Sequence, residues 1–139
     1  MSESACTFCR IVRKEAPASI VYEDEQVSAF LSNRPVNLGH TLVVTKKHYA
    51  DIYEIPEEEA AYLFKVTKRI AQAVKEATDI EDIRIVQNNG KDAGQVVFHL
   101  HMHIIPMKPQ GQFRHENGFR PLELLEKDAE KIRQRLYKA

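Results

Sequence analysis

The sequence predicts an α+β fold, and three observations carry that prediction. Five short runs rich in β-branched and aromatic residues, at 19–22, 26–31, 40–46, 83–87 and 96–105, read as strands. An apolar repeat at helical spacing runs from Pro56 to about Thr78 and a second follows Pro121, so both segments read as amphipathic helices. Clusters of Gly, Pro, Asn and Asp separate these runs, and none amounts to a low-complexity linker. A chain of 139 residues without an internal repeat is therefore expected to form one domain, residues 1–139, with a core of its own.

Composition narrows the partners. Twenty basic residues balance twenty acidic ones, so no overall field draws the chain to a nucleic acid polymer or a membrane surface. No apolar run approaches the ~20 residues of a membrane span. Met1-Ser2-Glu3-Ser4 lacks the basic start and apolar stretch of a secretion signal, and the expected compartment is the cytoplasm. The only cysteines form Cys6-x-x-Cys9. In a reducing compartment that spacing suggests metal ligation or redox work, or a pair of free thiols, ahead of a structural disulfide. A redox dithiol usually follows a strand, and only a short polar tail precedes Cys6. Two cysteines are half a zinc site, and the other half must come from elsewhere in the chain.

In chain order, residues 8–14 read as a short helix ended at Ala16-Pro17, because the residue before proline is pushed out of helical geometry. The first two strand runs flank the acidic turn Glu23-Asp24-Glu25 and read as a hairpin. Residues 32–39 are a loop by their Asn, Pro and Gly content, and the strand at 40–46 follows. Pro56 with Glu57, Glu58 and Glu59 opens the long helix, with carboxylates at the positive end of its dipole. Its predicted buried face carries Ala60, Leu63, Phe64, Thr67, Ile70, Ala71, Val74 and Ala77. Residues 107–120 read as loop, and Leu122, Leu125, Ala129, Ile132 and Leu136 mark one face of the C-terminal helix.

The chain's chemistry concentrates in residues 87–106, Q-N-N-G-K-D-A-G-Q-V-V-F-H-L-H-M-H-I-I-P. On a strand at 96–105, His99, His101 and His103 fall on one face and Leu100, Met102 and Ile104 on the other. Three imidazoles in file, about 6.5 Å apart, are hard to justify as packing, since each ring nitrogen needs a partner. A His-x-His metal site is the sharper rival, although it normally wants a further ligand that the intervening residues do not supply. The Asn and Gly residues ahead of the triad read, alone, as an ordinary hairpin turn. His40 and His48, at the two ends of a strand, read alone as solvated or capping residues.

H-L-H-M-H-I-I-P resembles the signature of the histidine triad family. Gly39-His40-Thr41-Leu42-Val43-Val44, Lys47-His48, Asn88-Asn89-Gly90 and Gly94-Gln95 extend the match in the family's order and spacing, from Cys6 to Met107. The chain is most similar to the nucleoside phosphoramidase-like branch with an N-terminal Cys-x-x-Cys. The resemblance implies an antiparallel sheet of about five strands with a central long helix and a C-terminal helix. It also implies a homodimer and a small-molecule nucleotide as substrate, with structural zinc and no organic cofactor. His101 would be the nucleophile toward an α-phosphorus, giving a nucleotidyl-histidine that water hydrolyses. His103 would serve the phosphate or leaving group, His40 the supporting hydrogen-bond network, and His99 that network or the metal.

Phosphate contacts are implied for Asn88 and for the backbone of Gly94, Gln95 and Val96, and zinc ligation for Cys6, Cys9, His48 and His99. A closed Cys2His2 set would fix the strand and leave no open position for substrate. Two departures stand out. Val96 occupies a position where many relatives carry a hydroxyl. Ser32, with Asn33 beside it, stands where the family usually places a ribose-binding Asp or Asn. These departures leave room for a nucleotide-binding scaffold of negligible turnover, and the histidines leave room for metal-dependent phosphoester hydrolysis.

Overall fold

The computed structural model describes residues 5–109 and 118–137. Among them the order is α1 (Thr7–Val12), β1 (Ile20–Glu23), β2 (Val27–Leu31), β3 (Thr41–Thr45), α2 (Glu57–Thr78), β4 (Asp82–Val86), β5 (His101–Met107) and α3 (Leu122–Leu136). The strands form one antiparallel sheet in the order β1-β2-β3-β5-β4. The expected α+β class, five strands, long helix and C-terminal helix are all present. The N-terminal tetrapeptide and most of the loop expected after Met107 lie outside the described residues.

Short-range chemistry accounts for the element ends. Asp24 turns the β1–β2 hairpin by accepting the backbone N–H groups of Gln26 and Val27 on one carboxylate oxygen. Pro56 occupies the N-cap of α2, three glutamates fill its first turn, and Asp79 ends it in the left-handed conformation. Gly39 precedes β3 at φ 94°, and a Cβ there would stand 2.7 Å from the Thr78 methyl. Only glycine lets the start of β3 pass so close to the end of α2. That approach delivers His40 into the interior.

Apolar side chains fill both faces of the sheet. On one face Val21, Val43 and Ile104 pack against Leu63, Val66, Ile70 and Val74 of α2 and against Ala129 and Ile132 of α3. On the other, Phe30, Leu42 and Val44 lie under α1, whose Cys6 cap, Phe8, Cys9 and Ile11 are all buried. The strands β2 and β3, covered on both sides, are buried throughout. Two expected core positions prove to be surface: Phe64 is 56% and Leu122 49% exposed. Val66 and Ala73 are buried on α2 instead, so the apolar stripe is rotated from the predicted one.

The triad strand also differs from its expected span. Pairing of β3 with β5 ends at Val44 opposite His101, so residues 96–100 have no strand beside them on that side. Residues 97–99 form bends, and His99 precedes the strand. Pro106 does not end the strand: β5 continues to Met107 alongside β4, beyond the last β3 partner at Ile104. A proline is tolerated where one flank of the ladder is already vacant.

Candidate active site and metal centre

Three of the sequence-singled histidines have their tautomers set by what they touch, two of them in one chain. The Val36 N–H donates to His40 Nδ1 at 3.1 Å, so His40 carries its proton on Nε2. That nitrogen lies 3.0 Å from His103 Nδ1 and donates to it, which leaves the His103 proton on Nε2. His101 is set differently. Its Nδ1 is 2.6 Å from the His99 carbonyl, an atom that only accepts, so Nδ1 holds the proton and Nε2 keeps a lone pair. Burial pushes the His101 pKa down, against the opposing effect of that carbonyl, and favours the neutral ring a nucleophile needs. The His101 and His103 ring centroids are 4.8 Å apart.

His99 turns away from this chain toward the N-terminus. Its Nε2 donates to the Thr45 carbonyl at 2.6 Å, and its Nδ1 lies 3.4 Å from both Cys6 Sγ and Cys9 Sγ. His48 Nδ1 stands 3.2 Å from Cys9 Sγ. The four donor atoms lie within 4.8 Å of one another, and no disulfide joins the cysteines. A tetrahedral zinc with Zn–S of about 2.3 Å and Zn–N of about 2.1 Å has S···N edges of roughly 3.6 Å, close to these separations. The Thr45 carbonyl fixes the His99 tautomer so that its lone pair faces the cysteines, as an outer-shell partner does for a ligating histidine. Burial pushes the His99 pKa down to about 4, which keeps the ring neutral and able to ligate. The residues therefore fit zinc: Cys6, Cys9, His48 and His99 would hold it, and its chemistry there would be to tie α1 to the sheet.

The glycine-rich turn is arranged around Gln95, which is 3% exposed. Its side chain accepts the Gly90 N–H and donates to the carbonyls of Ala50 and Val97, so it organises the loop. Gly90 and Gly94 take φ of 99° and 95°, and the Asn88 side chain lies against the bare α-carbon of Gly94. Val96 projects outward, 85% exposed. Ser32 is buried and its hydroxyl accepts the Arg34 N–H, while the Asn33 carbonyl accepts the Arg120 N–H. Both line a cleft of about 220 Å³ walled by Phe8, Ile11, Phe30 and Leu42. Phe8, one wall of this cleft, meets His101 edge-on, with centroids 5.0 Å apart.

Sequence reasoning missed several of these participants. Phe8 lay between the two cysteines and could have been read from that placement. The Thr45 and His99 carbonyls and the Val36 N–H are backbone groups, for which side-chain identity gives no signal.

Sheet, helix and histidine cluster together define a protein of the histidine triad type. The chain belongs to the HIT domain family, whose pattern matches residues 13–110. It is 48% identical over 101 residues to an uncharacterized HIT-like protein of Methanocaldococcus jannaschii, covering 73% of this chain and 78% of that one. It is 36% identical over 108 residues to adenosine 5'-monophosphoramidase of Saccharomyces cerevisiae, covering 78% and 66%. Among solved structures it superposes on a zinc-bound histidine triad family protein from Mycobacterium smegmatis with a TM-score of 0.82 at 36% identity, over 97% and 95% of the two chains. No helix among the described residues is long and apolar enough to cross a membrane.

Proposed function

We propose that this protein is a nucleotide hydrolase or transferase that cleaves at the α-phosphorus of a nucleotidyl substrate. The substrate class is a nucleoside phosphoramidate, an acyl-nucleotide or a dinucleoside polyphosphate. The observation that carries the reading is the 2.6 Å contact of His101 Nδ1 with the His99 carbonyl, which leaves Nε2 as the nucleophilic atom. The phosphoramidase relative supports the substrate class.

In this reading the base lies in the cleft between Phe8, Ile11, Phe30 and Leu42, with Ser32 and Asn33 toward the ribose. Asn88 and the backbone N–H of Val96 face the phosphate, whereas the expected Gly94 and Gln95 N–H groups already donate to the carbonyls of Lys91 and Gly90 and are engaged within the turn. His101 Nε2 forms a bond to phosphorus as the bond to the leaving group breaks. His103 Nε2–H supplies the proton that the departing group takes up, and His40 holds His103 in the tautomer able to do so. Water then attacks the nucleotidyl-histidine, its hydroxyl going to phosphorus and its proton to His103 Nε2, which releases the nucleoside monophosphate and restores both His101 and His103.

Zinc at Cys6, Cys9, His48 and His99 would be structural, in keeping with the zinc-bound relative. Metal-dependent hydrolysis at the triad draws no support from this donor set, because four protein donors close a tetrahedron and His101 and His103 stand outside it. A binding protein of negligible turnover is the second reading, favoured by the apolar Val96 at the phosphate turn and the Ser32 hydroxyl already engaged by Arg34. Nucleotidyl substrates assayed with wild type and His101→Gly separate the two. The account expects kcat to fall roughly four orders of magnitude or more in the variant, with nucleoside monophosphate binding retained. Equal rates would end it.

Residues 1–139 are taken as one cytoplasmic domain that pairs as a homodimer. Support for pairing comes from β4, an edge strand with Ile85 exposed, and from exposed Phe64 on α2. Sedimentation at micromolar concentration should give twice the chain mass, and a monomer would refute the pairing.

A further inference from the structure

The metal corner and the proposed nucleophile are joined at two points. The first is the peptide unit between His99 and Leu100. Its carbonyl accepts from His101 Nδ1, and its N–H donates to the Tyr49 carbonyl at 2.7 Å. Each end of this peptide therefore adjoins a metal donor, since His99 is one and Tyr49 follows His48, another. The second is the Phe8 ring, which sits between Cys6 and Cys9 in sequence and packs edge-on to both His101 and His99, at 5.0 and 6.0 Å.

We propose that metal held by Cys6, Cys9, His48 and His99 fixes the tautomer and orientation of His101, with the His99 carbonyl and Phe8 as the positioning groups. A six-residue helix such as α1 does not persist by itself, so its place against the sheet depends on the packing of Phe8 and Ile11 and on the tie that bound metal would add. Without metal, the cysteine–histidine contacts reduce to weak sulfur hydrogen bonds. The 99–100 peptide then keeps the Leu100–Tyr49 backbone bond and the His99 bond to the Thr45 carbonyl but loses its tie to α1, which widens the range over which its carbonyl tilts. His101 loses a fixed acceptor at Nδ1, and the Nε2–H tautomer, which has no lone pair at the attacking atom, becomes populated. The metal thus acts on the reaction without touching substrate. The catalytic consequence rests on the reading of His101 as nucleophile, whereas the tautomer consequence does not.

The test is a two-bond ¹H–¹⁵N spectrum of histidine-labelled protein at pH 8, without substrate, recorded zinc-loaded and again after removal of the metal by a chelator. Loaded protein should show His101 as one Nδ1–H species, and stripped protein should show shifts averaged between the two tautomers. His40, held by the Val36 N–H, should keep its Nε2–H pattern and so report an intact fold. An unchanged Nδ1–H pattern for His101 in stripped, folded protein overturns the proposal. If stripping also erases the His40 pattern, His48→Gln decides, because it keeps three donors while cutting the tie beside Tyr49. Averaged shifts for His101 in that variant support the coupling, and a pure Nδ1–H species overturns it. Since substrate is absent, a failure of the nucleotidyl chemistry leaves these spectra unaffected and is recognised separately.

Discussion

On one flank of the triad, His99 is fully buried and both ring nitrogens meet protein groups, the Thr45 carbonyl on one side and two cysteine sulfurs on the other. Three residues upstream, on a second flank, Val96 is 85% exposed, and the loop around it turns through two glycines at positive φ. The first flank is closed, with its donors converging on a point inside the protein. The second is open to solvent, and its Gly90, Gly94 and Gln95 N–H groups are engaged within the turn itself. His101 follows both in the chain, with its Nδ1 tied to the closed side and its Nε2 left outside that tie. Neighbouring positions of one segment can thus hold and react without competing, because each ring is committed by what its other nitrogen touches.

Two substitutions away from the nucleophile sharpen this contrast. Cys6→Ser combined with Cys9→Ser removes both thiolates from the closed side. It is expected to cost at least about 3 kcal/mol, or roughly 10 °C in Tm, because structural zinc contributes folding free energy directly. Metal analysis should fall from one zinc per chain to none, with a smaller loss of turnover than His101→Gly causes. A wild-type Tm in the double variant would show that the closed flank does not hold the fold.

Asp24→Asn is the smaller perturbation, remote from both flanks. Asp24 accepts hydrogen bonds from Tyr22 and Tyr62, tying the β1–β2 hairpin to α2. Burial raises its pKa, but those bonds and the Gln26 and Val27 N–H groups outweigh burial and hold it below the usual carboxylate value. A depressed folded pKa stabilises the fold above the unfolded value of about 3.9, and that contribution is lost as pH falls through the folded value. The variant should lose about 1–2 kcal/mol near neutral pH and show a shallower decline of stability below pH 4, with unchanged turnover. A decline as steep as that of wild type, measured by denaturant unfolding, would contradict the assignment.

Much of this architecture was legible in the residues. The span of α2, Glu57–Thr78, was recoverable closely because proline, glutamates and a sustained apolar period agree. The histidine spacing pointed to the candidate site, and Cys6-x-x-Cys9 called for partners that His48 and His99 are placed to supply. What escaped depended on neighbours distant in sequence. Whether residues 96–100 form a strand is decided by where β3 stops, and residues 96–105 alone do not contain that information. Phe64 and Leu122 are apolar at helical spacing, yet which turn of a helix meets the core is set by how α2 and α3 lie on the sheet. The tautomers of His40, His101 and His103 follow from backbone atoms that every residue carries.

The central claim is that His101 Nε2 forms a covalent bond to phosphorus during turnover. Protein mixed with an adenosine phosphoramidate and quenched in alkali within one turnover, where a phosphorus–nitrogen bond to histidine survives, should gain the mass of one adenylyl group. Peptide mapping should place that group on His101, and the adduct should be absent from His101→Gly. Turnover at full rate with no adduct at any quench time, or an adduct on another residue, would contradict the account.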